Sequence, residues 1–172
     1  DRLAGDRLPY AENMVNLVVA EHPGTVAMDE VLRVLVPLGV AYVKTEDGWK
    51  KTVKPWPEEM AQWPQHYNTP DNNAVALDSA VGPPRHFRWI AEPEWQRSHL
   101  GLPSMHSLVS AGGRLYSIED RATAEHPALP GKFALICRDA FNGIELWRHP
   151  FADWQPTYMY VKFTPTQLQR QL

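Results

Sequence analysis

The sequence predicts an α+β composite, in which a short α/β segment runs through a Trp- and Pro-rich seam into an antiparallel β meander. Three observations carry that reading. Residues 16–20 form a near-continuous apolar run, and a helix-spaced apolar set and a second short apolar run follow it. Gly112-Gly113 and Asn142-Gly143 each separate two strand-like runs, the pattern of two successive hairpins. Between these parts the composition shifts, because the 16 Pro and seven Trp of the 172 residues concentrate from Trp49 onward.

Taken in order, residues 16–20 read as a strand buried on both faces of a parallel sheet. Val31, Leu32, Val34 and Leu35 then recur at helical spacing, with Asp29 and Glu30 early and Arg33 late, as the helix dipole prefers. Pro37-Leu38-Gly39 breaks that helix, and residues 40–44 make a second strand, completing one strand–helix–strand crossover. Residues 44–51 read as a strand end, a polar turn and a charged return. Residues 58–63 are expected as a short helix with Pro57 in its first turn, packing Trp56 and Trp63 onto a neighbour. Residues 74–77 are a candidate strand. Pro83-Pro84 forces extended chain, and residues 85–90 alternate as a strand.

The meander occupies residues 104–150. Residues 106–111 and 114–118 flank Gly112-Gly113. Residues 133–137 are an apolar strand, residues 139–143 supply turn chemistry, and Ile144-Glu145-Leu146-Trp147 alternates as a returning strand. Asp139 is positioned to accept backbone N–H bonds across the turn before Gly143. Regular alternation puts Glu145 and Trp147 on one face, with Trp147 expected largely buried.

Composition bounds the function. Hydrophobic content of 44% with 22% charged residues describes a folded chain, long enough for one domain or parts of two. A net charge of −3 gives no electrostatic footprint for nucleic acid. No apolar run approaches the roughly 18 residues of a membrane helix. The chain starts at Asp1 without an initiator Met, so an upstream targeting segment is left open. The single cysteine, Cys137, reads as a small buried hydrophobe and excludes an intrachain disulfide.

Residues able to carry chemistry are scattered. His66, His86, His99, His106 and His149 show no metal-ligand spacing, although loops at one end of a sheet could gather His66, His99 and His106. Asp78, Asp120 and Asp139 read as turn and strand-end residues. Trp89, Trp95, Trp147 and Trp154 suit core packing better than stacking on a planar cofactor. No nucleophile elbow is present, and Cys137 has no activating neighbour in sequence. Catalytic and cofactor-binding residues therefore stay unassigned, and no metal ligands are expected.

Two resemblances refine this picture. Asp139-Ala140-Phe141-Asn142-Gly143 with Leu146-Trp147 resembles the Asp-Ala-x-x-Gly-x-x-x-Trp signature of pyrroloquinoline-quinone-type propeller repeats. In that family the signature links the third and fourth strands of a blade, and its Trp packs between blades. Residues 8–19, beginning Leu8-Pro9-Tyr10, and Glu30-Val31-Leu32-Arg33-Val34-Leu35-Val36-Pro37-Leu38-Gly39 resemble motifs in the second half of class I S-adenosylmethionine-dependent methyltransferases. Departures accompany the match. Ala4 stands where the family has an acid (Asp6 is nearby), Asn16 replaces an Asp, and Leu38 replaces the first Gly of the turn. The family's Gly-rich cofactor loop would precede Asp1, so this segment is not expected to bind S-adenosylmethionine by itself.

Trp63-Pro64-Gln65-His66-Tyr67, Asn72-Asn73-Ala74-Val75-Ala76 and Val81-Gly82-Pro83-Pro84-Arg85 resemble bacterial, planctomycete-type proteins that fuse a methyltransferase-like domain to a quinoprotein-like propeller. The resemblance implies the end of a Rossmann-like α/β domain over residues 1–48, a linker over 49–84, and the first blade or blades over 85–172. It further implies a binding or scaffold propeller, at the periplasm or cell envelope, whose partners are the remaining blades and a protein or small-molecule ligand. The alternative is an enzymatic parent using S-adenosylmethionine or pyrroloquinoline quinone.

Overall fold

The computed structural model describes residues 5–80, 82, 86–92, 105–122 and 131–151. The chain divides into two compact units, Asp1–Met60 and Ala61–Leu172.

The first unit holds β1 (Val15–Ala20), α1 (Met28–Val34), β2 (Leu35–Thr45) and β3 (Gly48–Val53). β1 and β2 run parallel on either side of α1 in sequence, and β3 returns antiparallel along β2. The helix is shorter than its pattern suggests, because Leu35 already pairs with Val15 as the first residue of β2. The Pro37-Leu38-Gly39 break lies inside that strand. Pairing jumps from Val15↔Leu35 to Leu17↔Val40, looping out the residues between. Leu38 there adopts φ +66, a left-handed conformation that costs a side-chain-bearing residue about 1–2 kcal/mol. Gly39 follows because a Cβ would come within 2.7 Å of the Val36 carbonyl oxygen.

Val31, Leu35, Ala41 and Val43 form the core of this unit, with Val18 and Ala20 packed against it. The opposite face is open. Leu17 and Val19 are 56% and 62% exposed, and Trp49 and Val53 are also exposed. β1 is therefore not buried on both faces, contrary to the expectation from its apolar run.

The second unit holds β4 (Met105–Ala111), β5 (Arg114–Asp120), β6 (Phe133–Asp139) and β7 (Glu145–Pro150). They form one antiparallel sheet in the order β4-β5-β6-β7. Gly112 and Gly113, at φ +57 and +74, make the first hairpin turn. In the second turn Gly143 takes φ +75, while Asn142 instead accepts the Ile144 N–H through its side chain. β6 is central, and Ile136 and Cys137 are fully buried on its two faces. Trp63 and Ser110 exchange backbone hydrogen bonds, covering part of the β4 edge.

The expected fold class does not survive. Among the described residues strand accounts for 41% and helix for 6%, in two small sheets of which neither closes, and the first unit is not a Rossmann α/β domain. The reason is geometric: α1 covers one face of a three-stranded sheet whose third strand is antiparallel. Residues 58–63 form no helix and residues 74–77 no strand. Turn chemistry has claimed both. Asp78 Oδ2 accepts the Ala61 N–H at 3.1 Å, and Asn68 Nδ2 donates to the Val75 carbonyl at 2.7 Å. Residues 86–92 are irregular rather than strand; Arg85 and Pro83-Pro84 lie outside the described residues.

Trp147 also differs from expectation, being 43% exposed. Cys137 pairs with Trp147 but Arg138 pairs with Glu145, so Leu146 is an extra residue in β7. The bulge turns Glu145 and Trp147 to opposite faces.

Candidate functional site

Cross-strand partners share a face, so the register of the second sheet sorts its side chains into two sets. One face carries the row Tyr116, Cys137 and Trp147. The rings of Tyr116 and Trp147 approach to 6.1 Å across the small Cys137 side chain. Burial raises the pKa of the Cys137 thiol, which disfavours the thiolate needed for nucleophilic or redox work.

The other face carries Ser117, Glu119, Arg138 and, through the bulge, Glu145. There an alternating ladder of acids and arginines runs across the sheet. Arg121 Nη2 meets Glu92 at 2.6 Å, and its Nη1 stands 3.5 Å from Glu119 Oε2. Arg138 Nη2 lies 3.4 Å from the same Glu119 oxygen and 3.6 Å from Glu145. Arg148 closes the ladder by donating to Glu145 through Nε and Nη2, both at 2.9 Å. That pairing lowers the Glu145 pKa and raises that of Arg148. Ser117 Oγ donates to Glu119 Oε1 at 2.6 Å. Glu119 and Arg138 are 2% and 7% exposed, so the centre of the ladder is dry.

Beside the ladder, where β5 ends, β6 begins and β7 ends, lies a cavity of about 430 Å³. Arg121, Lys132 and Arg148 supply its charge, and Phe133, Ala134, Pro150 and Phe151 its apolar walls. Its volume falls within the range of small-molecule sites.

The aspartates act as turn residues. Asp120, fully buried, accepts the N–H groups of Ala122 and Lys132 at 2.9 and 2.8 Å. Asp139 accepts those of Phe141 and Asn142 at 2.8 and 3.1 Å, and Asp78 that of Ala80 at 2.9 Å. Trp89 docks on the Asp139 turn, donating from Nε1 to the Ala140 carbonyl at 3.1 Å. No family model, curated protein or solved structure matches the chain.

Among the sequence candidates, His66 packs on Tyr67 and His149 on Phe151, with ring centroids 4.2 and 5.8 Å apart. His99, Trp95, Trp154 and the His106 side chain lie outside the described residues, so the grouping of His66, His99 and His106 does too. Among the described residues no three His, Cys, Asp or Glu side chains are grouped to hold a metal ion. No helix among them is long and apolar enough to cross a membrane. Sequence reading missed Arg121, Lys132 and Arg148, which come from three strand ends, and no local spacing links them.

Proposed function

We propose that this chain acts by binding rather than by catalysis, its second sheet being one repeat of quinoprotein-like lineage that packs its outer face on a neighbouring repeat. The supporting observation is the exposed Trp147 side chain, large and apolar, on an edge strand of a well-formed meander, in one row with the half-buried Tyr116 and the buried Cys137. The Asp139 turn, tied by two side-chain bonds and covered by Trp89, fits the same lineage. Its partner is a further four-stranded antiparallel repeat, and a periplasmic or cell-envelope location goes with that descent. The alternative, a parent that uses S-adenosylmethionine or pyrroloquinoline quinone, gains no support from the paired acids and arginines.

Size-exclusion chromatography with light scattering tests the reading. The isolated chain should self-associate as concentration rises, a second copy standing in for the neighbouring repeat, and Trp147→Ser should reverse this. A monodisperse monomer with a sharp melt would remove the reading. So would micromolar binding of S-adenosylmethionine or pyrroloquinoline quinone in calorimetric titration.

A further inference from the structure

The cavity at the end of the ladder is a separate feature from the Trp147 face. Three cationic residues line it and no acidic residue does. Their charges are not equally available. Arg121 faces Glu92 and Glu119, and Arg148 is held by two bonds to Glu145, so each has a carboxylate behind it. Lys132 is solvent-exposed and makes no ion pair among the described residues. Its backbone is fixed, because its N–H donates to the buried Asp120 and its carbonyl accepts the Arg121 N–H at 2.8 Å. Among the described residues Lys132 is thus a cation without a carboxylate partner, carried on a fixed stretch of backbone at the rim, with two carboxylate-held guanidinium groups beside it.

The remaining wall is apolar. The Phe133 ring, the Ala134 methyl, Pro150 and Phe151 offer a surface for a short hydrocarbon or aromatic body. A site with one unspent cation and apolar walls matches a monoanion with an apolar body. A dianion would leave charge unmatched and waste the wall. We propose that this cavity binds a small monocarboxylate carrying an apolar body, with Lys132 as its principal charge partner and Arg121 and Arg148 orienting it. This does not depend on the repeat-packing reading, because no residue of the Tyr116–Cys137–Trp147 row lines the cavity.

Benzoate is the probe. Titrated into the full chain carrying Trp147→Ser, chosen to limit self-association, benzoate should shift the amide resonances of Gly131, Lys132 and Phe151 saturably. The expected dissociation constant is on the order of 1 mM. Neutral benzamide should bind far less, and inorganic phosphate less than benzoate. Lys132→Ala should weaken benzoate about fivefold while Lys132→Arg restores it, and both exposed substitutions leave the amide spectrum folded. Equal binding of benzamide, stronger binding of phosphate, unchanged affinity in Lys132→Ala, or no saturable shift at tens of millimolar would each overturn the assignment. If Trp147→Ser proves unfolded, the same titration on the unsubstituted chain at low concentration decides the matter.

Discussion

Removing the Glu119 carboxylate tests the ladder as the feature that holds the second sheet together. Glu119→Gln keeps the shape and the bond from Ser117 but leaves Arg121 and Arg138 without their shared anion. At an effective dielectric constant of about 20, unit charges 3.4 Å apart attract by roughly 5 kcal/mol, and desolvation of both groups offsets much of that. Breaking a buried pair from one side typically costs about 3–5 kcal/mol. Here the contacts are loose, at 3.4 to 3.6 Å, and Arg138 retains Glu145 and a 3.0 Å bond to the Glu92 carbonyl. The lower end applies, about 3 kcal/mol. Arg138→Met should cost a similar amount.

The double substitution should cost about 1–2 kcal/mol less than the sum, because removing Arg138 together with the Glu119 carboxylate leaves one fewer uncompensated charge. Urea unfolding followed by tryptophan fluorescence measures all four corners of the cycle. Single-variant losses under about 1 kcal/mol, with coupling under about 0.5, would mean that water screens the ladder despite its burial. The reasoning would then fail at its premise.

Two further outcomes follow from local geometry. Pairing with Arg33, and the Leu8 N–H, hold the Glu30 pKa at about 2 against an ordinary 4.5. A depressed folded pKa gives stability that is fully present above pH 4.5 and lost as pH falls toward 2. The melting temperature of the first unit should therefore decline over that window, less so in high salt, and Glu30→Gln should abolish the decline. Gly143→Ala would put a Cβ 2.5 Å from the Trp89 ring at φ +75. It should cost about 1–2 kcal/mol for the backbone alone and red-shift tryptophan emission as Trp89 is displaced, whereas an unchanged spectrum would contradict the docking.

Both hairpins were legible because turn chemistry is local. Gly112-Gly113 and Asp139 to Gly143 carry their own φ preferences and their own acceptor, so neighbouring residues suffice to read them. The helix start was legible for the same reason, with acids early and Arg33 late. What stayed hidden depends on partners far along the chain. The bulge at Leu146 appears only in the pairing of β7 with β6, and it alone decides that Glu145 joins the ladder while Trp147 faces away. Arg138 and Glu119 are 19 residues apart, and Arg121 reaches Glu92 across 29. Apolar content misled for β1, where the run of Leu17, Val18 and Val19 suggested burial on both faces. No element among the described residues of that unit covers the second face.

The methyltransferase-like motifs have a structural explanation that needs no cofactor. Glu30 and Arg33 of one motif form a two-bond ion pair, both at 2.7 Å. That pair seizes the other motif. Glu30 accepts the Leu8 N–H at 2.7 Å, while Arg33 Nη2 donates to the Leu8 and Tyr10 carbonyls at 3.2 and 2.9 Å. Asn13 and Met14 then donate to the Arg33 and Val34 carbonyls, capping the helix with the chain that leads into β1. The Leu-Pro and Glu-x-x-Arg patterns thus work as a latch that sets where β1 begins against β2. A latch of this kind asks for the same residues whether or not a cofactor lies nearby. The pattern therefore carries information about how this end of the sheet is fastened, and methyl transfer is not needed to explain it.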